Sequence, residues 1–257
     1  MGQAPSSFDS ERPEPRVEDP ETPPRGLALI AHGRFGNMNG FVVRKLAEYF
    51  REERRLRVVT WDDLVVWDGR DFHADWTIWI GDVAHHHYNL TRSNRQHFLH
   101  QAMENFKNDF PDVGNPELFI CGYSAGAIAA GCTRPQPASL ASHFTSIRYI
   151  LVSYPVESNF VIGVFKTGSN FGSVEGLLQG HGWEGLPAEF NGAEPKVDGV
   201  LVINGSNDRG PFFGVWSGIL WGKNSRGKLS QVVVDGANHT WDYMEHRLVD
   251  GVGDWLA

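Results

Sequence analysis

The sequence predicts a doubly wound α/β domain on a mainly parallel sheet, and three observations carry that expectation. Short apolar runs bounded by turn residues alternate with longer amphipathic stretches along most of the chain. The runs are apolar throughout, as strands covered on both faces are. Strands separated by helices need crossover connections, which are right-handed and join parallel neighbours.

Taken in order, residues 1–25 are rich in Pro, Glu and Ser, too polar to repay the entropy of ordering, and are expected to be a disordered tail. Structure should begin near Gly26. The expected strands are LALIA (27–31), LRVVT (56–60), LFIC (118–121), YILVSY (149–154), VLVIN (200–204) and SQVVVD (230–235). Helices are expected over 39–53, 92–109, 125–132, 211–221 and 241–250. REERRLR at 51–57 mixes arginines with glutamates and reads as a solvated helix end. The alternation is weakest at 61–90 and 155–198, which exceed ordinary connection lengths and are candidate substrate-covering segments.

With 257 residues, 41% of them hydrophobic, and nine tryptophans, the chain can bury one sizeable core, so one domain over 26–257 is expected. A net charge of −8 argues against a nucleic-acid or anionic-membrane partner, because both need clustered Lys and Arg to replace counterions. No run of about 18 apolar residues exists to cross a bilayer, and the N-terminal stretch lacks the apolar segment of a signal peptide. The expectation is a cytoplasmic protein with no integral membrane association. Gly2 and Ser6 match a myristoylation pattern formally. Cys121 and Cys132 cannot build a disulfide framework and read as small buried apolar residues. The sequence carries no indication of an oligomeric state.

In an open parallel sheet, ligands bind beyond the carboxyl ends of the strands, so chemistry is sought just after each apolar run. After LFIC comes Gly122-Tyr123-Ser124-Ala125-Gly126, followed by small residues that suit a helix. A side chain at the apex of a strained strand-to-helix turn needs small neighbours on both sides, and such a turn presents Ser124 as a nucleophile. The other reading is a structural glycine turn. A serine hydroxyl needs a base, and the base needs an acid to hold its tautomer. His239 follows the last apolar run and Asp208 follows VLVIN, both at expected strand ends. Asp208 could instead cap a helix near Pro211, and His239 could be a polar loop residue. Asp235 and Asp242 are rival acids close to His239 in sequence.

The chain order Ser124, Asp208, His239 resembles the triad of the α/β-hydrolase superfamily, and the similarity covers residues 26–257. The acid after the strand preceding the last one matches that family, which makes Asp208 the preferred acid over Asp235 and Asp242. By the same resemblance, His32-Gly33 after the first strand opens the oxyanion loop, with one backbone N–H from Arg34 or Phe35 and the other from Ala125. His32 would order that loop, and the Arg34 side chain could reach an anionic substrate group or lie on the surface. Many family members begin with two more strands than this chain offers, so a shortened sheet of about six strands is expected. YILVSYPV and the acid loop are similar to small esterase-like members related to dienelactone hydrolases, whose nucleophilic cysteine is absent here.

The resemblance implies a serine hydrolase that cleaves a small-molecule carboxylic ester or thioester through an acyl-enzyme on Ser124, with no metal or organic cofactor. Two other readings stand: an idle hydrolase-like binding or regulatory protein, and a peptidase or acyltransferase on the same triad. The sequons at Asn204 and Asn238 lie where the site is placed, and glycans there would block it, which favours the cytoplasm. His85, His86 and His87 lack a metal-binding spacing and would border the pocket or lie on a surface loop. The aromatics of 61–79 could wall a substrate pocket or pack under a loop. Phe160, Phe165, Phe171 and Trp183 suggest a lid over 157–196, against peripheral packing.

Overall fold

The computed structural model describes residues 15–32, 40–61, 97–131, 133–135, 138–154, 177, 197–208 and 229–257. Seven strands among them form one sheet: β1 (Arg16–Glu18), β2 (Gly26–Ala31), β3 (Arg57–Trp61), β4 (Glu117–Tyr123), β5 (Ser146–Val152), β6 (Gly199–Gly205) and β7 (Leu229–Val234). Their order is β1-β3-β2-β4-β5-β6-β7, with every pairing parallel except β1 against β3. The helices are α1 (Phe41–Glu52), α2 (97–109), α3 (Ala125–Gly131), α4 (Ala138–Ala141) and α5 (Glu245–Leu256).

The continuous apolar runs divide by parity, because successive side chains on a strand point to opposite faces. Leu27 and Leu29, Leu118 and Ile120, Tyr149 and Leu151, and Val200 and Val202 pack with Leu99, Met103 and Phe106 of α2 and with Ala127 and Ala130 of α3. Ala28 and Ile30, Phe119 and Cys121, Ile150 and Val152, and Leu201 and Ile203 pack on the other face with Val43, Leu46 and Phe50 of α1 and with Leu248 and Val252 of α5. A strand buried on both faces has no position to give to a polar residue, which is why alternation is missing from the sequence.

Three differences from the sequence expectations have local causes. The first is β1, which lies inside the stretch expected to be a disordered tail and adds a seventh strand to the six that were expected. Arginines from 51–57 gather its acids: Arg57 forks onto Asp19 at 2.6 and 2.9 Å, Arg51 pairs with Glu18, and Arg55 donates to Thr22. The segment expected to be a solvated helix end is therefore the anchor of the chain's N-terminal arm. The arm also pairs with the otherwise open edge of β3, as exposed sheet edges invite.

The second difference is β5, which starts at Ser146 and stops at Val152, because Ser153 turns to a φ of 47°. The third is the last helix, expected at 241–250 and found at Glu245–Leu256. Trp241 and Tyr243 take φ values of 59° and 62°, which delays the helix. It then runs through Gly251, where a Cβ would stand 2.8 Å from Ile203 Cδ1, so the glycine serves close packing of α5 on β6. The short α4 carries no periodic signal in the sequence. Of the expected helices, 211–221 and the first residues of 92–109 lie outside the described residues, as does Cys132. Cys121 is buried in β4, and burial pushes its thiol up, as expected of an inert core cysteine.

Candidate active site

The strand β4 turns into α3 through a single residue, Ser124, held at a φ of 55°. A non-glycine residue in the left-handed region costs about 1 kcal/mol or more, so the surroundings must impose it. They do so by close approach. A Cβ on Gly122 would lie 2.0 Å from the Gly126 carbonyl oxygen, and one on Gly126 would lie 2.4 Å from that of Ala31. Helix and strands meet backbone to backbone, with Ser124 at the crest. Its N–H donates to the Val152 carbonyl at 2.9 Å, and its carbonyl accepts from Ala127 N–H at 2.9 Å.

Two further loops reach the same end of the sheet. After β6, Ser206 N–H donates to Val234 O and Asn207 N–H to Ala237 O, both at 2.8 Å, while Gly236 N–H donates to Ser206 Oγ at 2.8 Å. Gly205 permits this stitching, since a Cβ there would come within 2.1 Å of the Ala237 oxygen. The stitched loops carry Asp208 and His239. Beyond His239, the buried Trp241 donates its indole N–H to Ser153 Oγ at 2.9 Å.

These loops bring Ser124, His239 and Asp208 into one hydrogen-bonded chain. His239 Nε2 lies 2.9 Å from Ser124 Oγ, and Nδ1 lies 2.8 Å from Asp208 Oδ1. An ionised carboxylate only accepts, so Nδ1 carries the proton and Nε2 presents its lone pair to the hydroxyl. The Asp208 side chain is 9% exposed and that of His239 45%, so the acid is sheltered while the imidazole is open on one side. Asp235 instead accepts from Ser206 Oγ, and Asp242 accepts from Asn238 Nδ2 and Thr240 Oγ1. The Thr240 and Asn238 hydrogen bonds hold the Asp242 carboxyl below the usual range.

His32 is buried at the end of β2, with its carbonyl against the elbow at Gly126. Ala125 begins α3 directly after Ser124. Gly33, Arg34, Phe35, His85, His86, His87, the aromatics of 62–79, Phe160, Phe165, Phe171, Trp183 and most of the expected 157–196 lid lie outside the described residues. Among the described residues, no group of three or more His, Cys, Asp or Glu side chains is placed to hold a metal, and no helix is long and apolar enough to cross a membrane.

The sequence reading names Tyr123 as an elbow residue but does not reach the partners that order the site. Tyr123 donates its hydroxyl to the His239 carbonyl at 2.8 Å, and Asn204 Oδ1 accepts from Tyr154 N–H at 3.1 Å. The strand-end rule that finds Asp208 and His239 reaches Ser153 and Asn204 equally well, as both stand at the carboxyl edge. Nothing in sequence separation could pair Trp241 with Ser153, or Tyr123 with His239.

Burial, then the nearby Asp208 and Asp242 charges, pushes the Tyr123 phenol up to about 12. Burial does the same to Tyr149, whose hydroxyl donates to Thr133 O. A pKa raised above the ordinary 10.0 means that the protonated form is favoured in the folded chain. The associated stability is whole below pH 10 and is lost as pH rises through about 12. A urea midpoint measured against pH should therefore stay level to about 10 and fall between 10 and 12, with phenolate absorbance appearing as the chain unfolds.

No family model and no curated protein matches the chain. Solved structures do. An α/β serine hydrolase homologue from Coxiella burnetii is 16% identical, with 95% of this chain and 91% of that one covered, at a TM-score of 0.53. Est1E from Butyrivibrio proteoclasticus is 12% identical over 94% of this chain and 92% of its own, at a TM-score of 0.55, and has also been solved with ferulic acid bound. The esterase domain of a Rhodothermus marinus protein is 14% identical over 94% and 90%, at a TM-score of 0.51. At such identities the likeness is one of fold, and it agrees with the sheet order and crossovers found here. The chain has the α/β-hydrolase fold.

Proposed function

We propose that the protein is a serine hydrolase that cleaves a carboxylic ester of a small molecule through an acyl-enzyme on Ser124. The observation that carries this reading is the unbroken chain from Asp208 through His239 to Ser124, with contacts of 2.8 and 2.9 Å. His239 Nε2 takes the hydroxyl proton as Ser124 Oγ attacks the carbonyl carbon. The oxyanion is held by the Ala125 N–H and by that of Arg34 or Phe35, the latter carried over from the family pattern. Collapse expels the alcohol, which leaves with the proton from His239. Water then gives its proton to His239, attacks the acyl carbonyl, and the acid departs as Ser124 recovers its proton. Asp208 keeps the imidazole in the required tautomer and stabilises the imidazolium. All the groups in this scheme belong to the chain, and no metal or organic cofactor enters it.

Esters are preferred over other acyl donors because chains of this fold include an esterase domain and Est1E, which binds an aromatic carboxylic acid. A cytoplasmic setting is supported by the two sequons on the site loops. Asn204 Oδ1 accepts from Tyr154 N–H and Asn238 Nδ2 donates to Asp242, so both side chains are engaged beside the site, where a glycan would crowd it. The test is labelling of the purified chain with a fluorophosphonate probe, beside Ser124→Ala. Labelling of the wild type that vanishes in the variant is the expected result. A folded wild type that does not react would displace this reading in favour of a binding protein.

A further inference from the structure

We propose that Tyr123 is a positioning residue for His239, its hydroxyl fixing the backbone carbonyl of the histidine so that the imidazole meets Ser124. This rests on the hydrolase reading above. Tyr123 Oη donates to the His239 carbonyl at 2.8 Å, and the two rings lie 5.6 Å apart between centroids. The next residue, Ser124, engages the tip of the same imidazole at 2.9 Å. Two consecutive residues of the elbow thus hold one histidine at both ends, the backbone carbonyl and Nε2.

The separation between those two holding points is set by the sheet. Tyr123 is the last residue of β4, paired with Val152, and Ser124 N–H is bonded to Val152 O. His239 itself sits in a turn, outside helix and strand. Its loop is tied upstream by Asn207 N–H to Ala237 O and downstream by the Trp241 indole to Ser153. Between these ties, Asn238 O accepts from Trp241 N–H at 3.2 Å and the Tyr123 hydroxyl holds the carbonyl of His239 itself. A phenol that keeps its proton to about 12 donates at every pH at which a histidine base would work. Catalytic geometry is sensitive to displacements of about 1 Å, so a freed carbonyl should matter to rate while leaving substrate affinity alone.

The experiment compares wild type, Tyr123→Phe and Tyr123→4-aminophenylalanine, which keeps a donor at the same place. With p-nitrophenyl acetate, Tyr123→Phe should lower kcat on the order of tenfold at unchanged KM, the size expected for one lost hydrogen bond. The second-order rate of fluorophosphonate labelling should fall in step, and 4-aminophenylalanine should restore most of both. Wild-type kcat in Tyr123→Phe, or an equal loss in the donor-retaining variant, overturns the proposal. If the wild type is not labelled at all, the hydrolase reading fails, and the positioning claim is decided by the His239 Nδ1 proton resonance. A sharp low-field signal that broadens in Tyr123→Phe upholds it; an unchanged signal overturns it. If Tyr123→Phe fails to fold, the wild-type Tyr123 hydroxyl proton serves instead: slow exchange supports the bond, and exchange at the solvent rate overturns it.

Discussion

Alanine at position 239 should lower kcat for p-nitrophenyl acetate by roughly 10⁴-fold, with the melting curve little changed. On the proposed mechanism the loss is large because His239 Nε2, 2.9 Å from Ser124 Oγ, is the base, and an unassisted hydroxyl is a poor nucleophile. A factor of 10⁴ corresponds to about 5 kcal/mol of barrier. The side chain is 45% exposed, so its removal opens little cavity, and the fold should persist. Asp208→Asn should approach the same loss, since an amide nitrogen at the Oδ1 position would turn the imidazole to the wrong tautomer. Asp242→Asn tests the alternative acid: its carboxylate serves Asn238 and Thr240 on an exposed turn, and turnover should stay within about twofold of wild type. Full activity in Asp208→Asn, or collapse in Asp242→Asn, would sink the assignment.

The sheet was legible because burial on both faces leaves a trace that needs no partner to be read. Leu27 through Ala31 are each fully buried, and a short run with no polar position suits a strand covered by helices on both sides. The elbow was legible for a related reason. Gly122 and Gly126 are required by backbone contacts made nearby, so their spacing around Ser124 survives as a local pattern. His239 and Asp208 are reached by a positional rule, the carboxyl ends of strands, together with the family's chain order, and not by anything in their own neighbourhoods. What stayed hidden depends on pairs distant in sequence. The arginines at 51–57 look like a solvated helix end until Glu18 and Asp19 are brought beside them, and the elbow residue Tyr123 shows no partner until His239 arrives from 116 positions away. Trp241 turns the chain at a positive φ while buried and bonded to Ser153, a partner distant in sequence, so the late start of α5 could not be read from periodicity.

Gly126→Ala should cost about 3 kcal/mol or more of stability, and it should also slow the reaction. The added methyl would lie 2.4 Å from the Ala31 oxygen and 2.5 Å from that of His32, distances no carbon can hold. Neither neighbour is a flexible side-chain end that can swing away. Ala31 is paired with Gly122 on one side and Trp61 on the other, inside the central strands of the sheet. The helix must therefore move, and α3 begins one residue after Ser124, so Ser124 moves with it. A shift near 1 Å is enough to cost on the order of 100-fold in rate, which separates this variant from one that only melts earlier. Gly114→Ala is the control, because a Cβ there has nothing within 4 Å and should change stability by no more than about 0.5 kcal/mol. The paired readout is the melting temperature and the kcat of the fraction still folded well below it. If Gly126→Ala melts with the wild type, α3 does not rest on β2 as closely as these distances require, and the elbow's strain must be held from the Val152 side alone.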